Sequence, residues 1–409
     1  MTELPIRPAT AADWPAVVGL LETAFHNPHD DQLSETERAV FEPDRSLVVI
    51  DGTDPPDQVV GHAAAYTRDL TVPGGVLPAA HVSLVGVLPT HRRRGLLTRL
   101  MQRQLAEAPE PLAVLWATEG RIYPRYGYGQ ASQRVSLTIE APEVHLPAPA
   151  SPGRLRTVPP ETARPDLERV YEEARRDRPG WSSRGGNWWK VLLADPASDR
   201  RDATERRVTL HDGPAGVDGY ALWRVKPDWG ATGPRGEVLV QEVVTASLDA
   251  YLALWRFLLS VDLTRSATIR LASPDEPLLY LADEPRRLGP RLSDGLYVRI
   301  TDLPAALTGR RYATPLDLVL EVTDRLLPAN AGRWRLAVPP DRDKSSCTRV
   351  DEPADLACDT ADLAAAYLGG TPLAALAAAG RVRELRPDTL ATTSTGFGWH
   401  RAPSAIEIF

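Results

Sequence analysis

The sequence predicts a mixed α/β (α+β) fold divided among several domains. Three observations carry this. Strand-like and amphipathic helical runs alternate along the whole chain. A Pro-rich stretch at residues 141–155 interrupts the pattern. The length, 409 residues, exceeds what one hydrophobic core usually serves.

The elements follow in order. Residues 10–25, TAADWPAVVGLLETAF, have helical spacing, with Thr10 or Asp13 as cap and Val17, Leu20, Leu21 and Phe25 on one face. SLVVI and VVGHAAAYTRDLTV read as strands around the turn DGTDPPD. VSLVGV, residues 82–87, is a strand that Pro89 ends, and Leu96, Leu97, Leu100 and Met101 mark one side of a following helix. PLAVLWAT is a short strand, EGRIYPRYGYGQAS an aromatic, Gly-rich loop, and RVSLTIE another strand. The Pro-rich stretch places a first domain at residues 1–150.

Residues 151–290 repeat this order of elements, with the strong helix SLDAYLALWRFLLSVDL and without the arginine-glycine turn of the first half. Residues 291–409 form a third region of strands and Ala-rich helices. It closes on AIEIF, whose apolar Ile406, Ile408 and Phe409 predict a docked end.

The net charge of −7 argues against a nucleic-acid-binding surface and suits a cationic small molecule. Cys347 and Cys358 have no metal-ligand spacing, and no metal site is expected. A disulfide between them is the alternative to the reducing cytoplasm that is expected. The first residues lack the pattern of a signal peptide. No uninterrupted apolar run is long enough to span a membrane. The expectation is a cytoplasmic protein.

The chemistry concentrates at His91-Arg92-Arg93-Arg94-Gly95, between a strand and a helix. Three like charges at the positive end of a helix are unfavourable unless an anion sits there. The first N–H groups of a helix bind phosphate oxygens, and arginines add charge-assisted hydrogen bonds. No G-K-[ST] or G-x-G-x-x-G spacing occurs, so a nucleotide P-loop and a dinucleotide fingerprint are excluded.

The run VGVLPTHRRRGLL resembles the acetyl-coenzyme A motif of the GNAT superfamily of N-acetyltransferases. Leu97 replaces the motif's final small residue. With DLTVPGGVLPAAHVSLVGV and EGRIYPRYGYG, this is similar to the enhanced intracellular survival (Eis) family. DGYALWRV, ALWRFLLSVD and DGLYVRITDLPAALTGRRY extend the likeness over nearly the whole chain.

The resemblance implies tandem GNAT-like domains, the second of them degenerate, plus a C-terminal sterol-carrier-protein-like domain. It implies acetyl-CoA as co-substrate, held by Val85, Val87, Arg92, Arg93, Arg94, Gly95, Leu96, Leu97 and Thr118. Among Tyr123, Tyr126 and Tyr128, which sequence chemistry does not separate, it assigns Tyr123 as general acid. The C-terminal carboxylate of Phe409 becomes the general base. Phe25, His26, Ser83, Leu84 and Glu407 are the residues expected around the amine. The implied acceptor is a polyamine or aminoglycoside, acetylated at several positions, and the implied assembly a homohexamer. A lysine acetyltransferase of proteins or peptides, or an acyl-CoA- or lipid-binding protein with little turnover, are the competing readings.

Overall fold

The computed structural model describes residues 3–28, 30–53, 58–151 and 153–409; part of the DGTDPPD turn, 54–57, lies outside them. The described chain forms two compact units. The first comprises the chain up to Ser132, Gly295–His400 and Ile408–Phe409; the second comprises Gln133–Asp294 and Arg401–Glu407.

The first unit opens with β1 (Ile6–Pro8), α1 (Trp14–Phe25), α2 (Asp31–Arg38), β2 (Ser46–Asp51), β3 (Gln58–Val72) and β4 (Gly75–Val87). It continues with α3 (Leu96–Glu107), β5 (Leu112–Trp116) and β6 (Gly129–Gln130). The seven-stranded sheet runs β1-β2-β3-β4-β5, then the strand Leu296–Ile300, then β6. Among the described strands of this sheet only β4 and β5 pair in parallel. Side chains alternate across β2, so one strand serves two cores. Leu47 and Val49 pack with Leu96, Leu100 and Met101 of α3, while Val48 and Ile50 pack with Val17, Leu20 and Leu21 of α1. The two helices therefore cover opposite faces. Thr10 and Asp13 bond reciprocally ahead of α1, as their spacing predicts. The helix α2 buries no residue, and its sequence accordingly shows no apolar period.

The second unit repeats the plan. Its sheet runs Arg291–Asp294, β7 (Gln133–Glu140), Thr264–Ala272, Gly236–Thr245, Gly216–Lys226, Arg207–Gly213 and Arg154–Val158. Again one pair, Gly236–Thr245 with Thr264–Ala272, is parallel.

The sheets differ from the sequence expectation by one reciprocal exchange. β7, read as the last strand of the first domain, lies in the second sheet. Leu296–Ile300, read as opening the third region, lies in the first, between β5 and β6. The chain thus passes from one unit to the other after Ser132 and after Asp294, whereas composition suggested 150 and 290. Prolines mark an extended segment; they carry no information about which sheet a preceding strand joins.

Residues 303–397 add a five-stranded sheet, in the order Ser346–Arg349, Gly332–Val338, Leu316–Thr323, Leu356–Asp359, Val382–Glu384. The Ala-rich helix Thr360–Tyr367 is buried at every position. Both cysteines are buried free thiols, and burial pushes each up to about 12, so they stay protonated. Arg310 is also buried here. It donates to the carbonyls of Tyr367, Phe397 (2.8 Å) and Arg311 (3.0 Å), and its guanidinium lies against the rings of Tyr312, Tyr367 and Phe397. One planar cation therefore gathers the ends of two helices. A lysine presents a point charge and cannot reproduce that fork. Arg310→Lys is expected to cost at least about 2 kcal/mol, read as a lower urea midpoint at unchanged slope.

Candidate active site

The site begins at a local irregularity of β4. Ala64 faces Ser83 and His62 faces Gly86, so Ala63 alone spans Leu84 and Val85: a β-bulge. Leu84 sits in the left-handed region, φ 51°. The imidazole of His62 holds the bulge, with Nδ1 2.7 Å from the Leu84 carbonyl oxygen. That ring is fully buried, and burial lowers its pKa to about 4. It is neutral near pH 7, with the proton on Nδ1 to donate. The sequence reading missed His62; a lone histidine inside the apolar run VVGHAAAY was the available signal.

The second feature is a strand opening. The parallel pairing of β4 with β5 covers only Ala79–Leu112, Ala80–Ala113 and His81–Val114. β4 then continues to Val87 and β5 to Trp116 without pairing to each other.

The third feature is the start of α3. Gly95 is its N-cap, with φ 78° and no side-chain cap, and a Cβ there would meet open space. Glycine is thus required by the backbone angle, and the first turn of α3 faces a cleft with its N–H groups uncapped. Arg92 donates to the carbonyl of Ala24 (3.2 Å), near the C-terminus of α1. Arg93 takes a left-handed angle, φ 62°.

A cleft of about 560 Å³ joins these features. It gathers most of the residues singled out from the sequence: Phe25, His26, Val85, Val87, Arg92, Arg93, Gly95, Leu96, Leu97, Thr118 and Tyr123. Arg94 is exposed and outside its lining. Ser83 pairs with Ala64, and the Leu84 side chain packs into the apolar cluster around α1, so neither lines the cleft. Glu407 lies in the second unit, where its carboxylate is 2.8 Å from Nε of Arg184. Phe409 belongs to the first unit. Its ring lies 4.7 Å from that of His81, the residue at which the β4–β5 pairing ends, and 5.9 Å from the Arg68 guanidinium.

The structure separates the three tyrosines. Tyr126 also lines the cleft, but its hydroxyl shares a hydrogen bond with Thr98 (3.1 Å). Tyr128 is fully buried beneath the loop. Tyr123 lines the cleft, stands edge-on to Tyr128, and its hydroxyl makes no hydrogen bond among the described residues. Burial raises it to about 12, so it carries its proton throughout the neutral range.

The second unit lacks this anion cradle. Its helix Leu248–Leu259 is capped by the Ser247 side chain and carries Asp249 in its first turn. The Asp249 carboxylate accepts from the backbone N–H groups of Ala150 (2.8 Å) and Ser151 (3.1 Å). A helix start closed by its own hydroxyl and carboxylate repels phosphate.

A parallel strand pair that opens beside an uncapped, arginine-flanked helix start defines a GNAT-type acyltransferase, whose co-substrate is acetyl-CoA. The comparisons agree. Family models of an acetyltransferase (GNAT) domain match residues 5–131 and 180–300, and a sterol carrier protein domain matches 303–405. An uncharacterized N-acetyltransferase of Streptomyces coelicolor is 40% identical, covering 96% of each chain. The N-acetyltransferase Eis of Mycobacterium tuberculosis is 36% identical, over 91% of this chain and 92% of its own. The crystal structure of Eis1 from Mycobacterium abscessus superposes with a TM-score of 0.85 at 30% identity, covering all of both chains. The chain belongs to the Eis family of N-acetyltransferases. Among the described residues no helix is long and apolar enough to cross a membrane, and no cluster of side chains could hold a metal ion.

His62 gives a pH prediction. The unfolded imidazole takes up a proton below about 6.5 and the folded one only below about 4. Stability that depends on its neutral form is complete above about 6.5 and lost as pH falls towards 4, up to about 3 kcal/mol. Urea unfolding of wild type and His62→Asn at pH 7 and pH 4.5 should show a smaller acid loss in the variant.

Proposed function

We propose that this enzyme transfers the acetyl group of acetyl-CoA to primary amines of polycationic small molecules, aminoglycosides and polyamines among them, at several positions. The observation that carries the reading is the cleft that joins the β4 opening, the uncapped start of α3 and the unbonded hydroxyl of Tyr123. Arg92, Arg93 and the first turn of α3 bind the pyrophosphate. The backbone of Val85 and Val87 holds the pantetheine arm and polarises the thioester carbonyl. The acceptor class comes from the family resemblance, and the net charge of −7 suits it. A homohexamer in the cytoplasm, built of a catalytic GNAT domain, a degenerate one and a sterol-carrier-like domain, completes the reading.

The amine attacks the thioester carbon, the C–S bond breaks, and one proton must leave nitrogen while sulfur receives one. A carboxylate is a poor base towards a free alkylammonium near pKa 10. Once the N–C bond forms, the nitrogen becomes acidic, and the Phe409 carboxylate takes its proton. The contact of the Phe409 ring with His81, at the mouth of the strand opening, supports that assignment. Tyr123 hydrogen-bonds the departing sulfur. As the C–S bond breaks it serves as the general acid to sulfur, and the proton released from nitrogen restores the phenol, which burial keeps protonated beforehand.

Thiol release from acetyl-CoA, measured with a panel of aminoglycosides and simple polyamines, tests the reading. Tyr123→Phe should lower kcat by about 10²-fold or more and leave KM for acetyl-CoA within about threefold. A chain lacking Phe409 should still bind coenzyme A but lose turnover. Full activity of the truncated chain would remove the terminal carboxylate from the mechanism. Turnover of protein lysines alone, or of no amine, would replace the acceptor assignment.

A further inference from the structure

The second unit has its own strand opening. The strands Gly236–Thr245 and Thr264–Ala272 pair in parallel up to Val240–Ile269, then part. A bulge sits at the same place: Leu222 faces Glu242 and Trp223 faces Val240, leaving Gln241 extra. In the first unit the corresponding opening joins a cleft whose lining includes Arg92, Arg93 and Tyr123. Here it is lined by Glu242, Val244, Ile269 and Ala272, and by the chain's own Ser404 and Ile406.

The tail is held along its length. Arg401 pairs with Asp177. The Ala402 N–H donates to Asp275 (3.0 Å), and its carbonyl accepts from Arg178 (2.9 Å). The Ser404 N–H donates to the Pro179 carbonyl (3.0 Å). Gly180, φ 96°, permits this approach; a Cβ there would stand 2.4 Å from the Ser404 oxygen. Ile406 packs against the core that contains Tyr171 and Trp189. Glu407 then meets Arg184 at 2.8 Å.

Arg184 is a buried cation already served by Glu242, which accepts two bonds of 2.8 and 3.0 Å, and by the ring of Tyr171 at 3.8 Å. One carboxylate neutralises it. A second adds buried negative charge that the core of this unit does not require. What the second carboxylate does is fix the chain two residues before Phe409.

We propose that the strand opening of the second unit is the seat of the C-terminal segment, and that Arg184, acting through Glu407, is a positioning residue for the terminal carboxylate. The catalytic part of this rests on the reading of that carboxylate as the base.

The test uses the 409-residue chain and its Glu407→Ala and Glu407→Gln variants. In both, Arg184 keeps Glu242, so melting temperatures should stay within about 2 °C of wild type. The direct readout is release of Phe409 by carboxypeptidase A, followed by mass spectrometry. Release should be about tenfold faster in Glu407→Ala and intermediate in Glu407→Gln, because exposure of the end follows local opening. Turnover should fall about tenfold in kcat, with KM for acetyl-CoA within about twofold. Release at the wild-type rate in both variants overturns the proposal, whatever turnover does. Faster release with unchanged turnover keeps the seat and removes the terminal carboxylate from catalysis.

Discussion

Everything at the active site depends on where a parallel ladder stops. β4 and β5 share only three residue pairs, ending at His81 and Val114. Parallel neighbours need a crossover connection, usually a helix. Here α3 is that crossover, and its start lies beyond the end of the ladder. The sheet therefore offers free backbone on β4 next to free N–H groups on α3. The bulge at Leu84–Val85 turns β4 out of register at this place, and the buried His62 keeps it there. An acyl-CoA needs both offers at once: neutral backbone partners for an extended amide chain and an electropositive corner for pyrophosphate.

Parts of this were plain in the sequence. An arginine run, a glycine and an apolar helix announced the strand–turn–helix with a left-handed Gly95 at its N-cap, because helix starts and left-handed glycines leave local signatures. The β2–β3 strands and both flanking helices were equally legible. The exchange of β7 with the strand Leu296–Ile300 was not. Each strand is apolar enough for either sheet, and pairing partners far apart in sequence leave no trace in a single chain. The resemblance placed Glu407 by the amine; its ion pair with Arg184 left no sign in the sequence. Arg184 itself sits in the unremarkable stretch WSSRGGNWW; its burial follows only from the fold.

Loop glycines and tyrosines lay between these extremes. The run YPRYGYG announced a tight aromatic loop but not which phenol keeps an unbonded hydroxyl at the cleft. Separation required two facts of packing. Thr98 on α3 engages Tyr126, and Tyr128 is driven into the core, leaving Tyr123 with its hydroxyl unbonded at the surface of the cavity.

The two sheets use one architectural opening in two electrostatic forms. In the first unit the helix start is uncapped, and Arg92 and Arg93 line the cleft beside it. In the second, Ser247 and Asp249 close the helix start, and the opening holds a guanidinium between carboxylates. These changes are coupled physically. Once the helix start is acidic, pyrophosphate is repelled, and the hydrogen-bonding groups exposed by the parted strands need another partner. The tail beside this opening makes its own backbone hydrogen bonds with Pro179, Arg178 and Asp275. One sheet topology thus carries two different helix starts and two different linings.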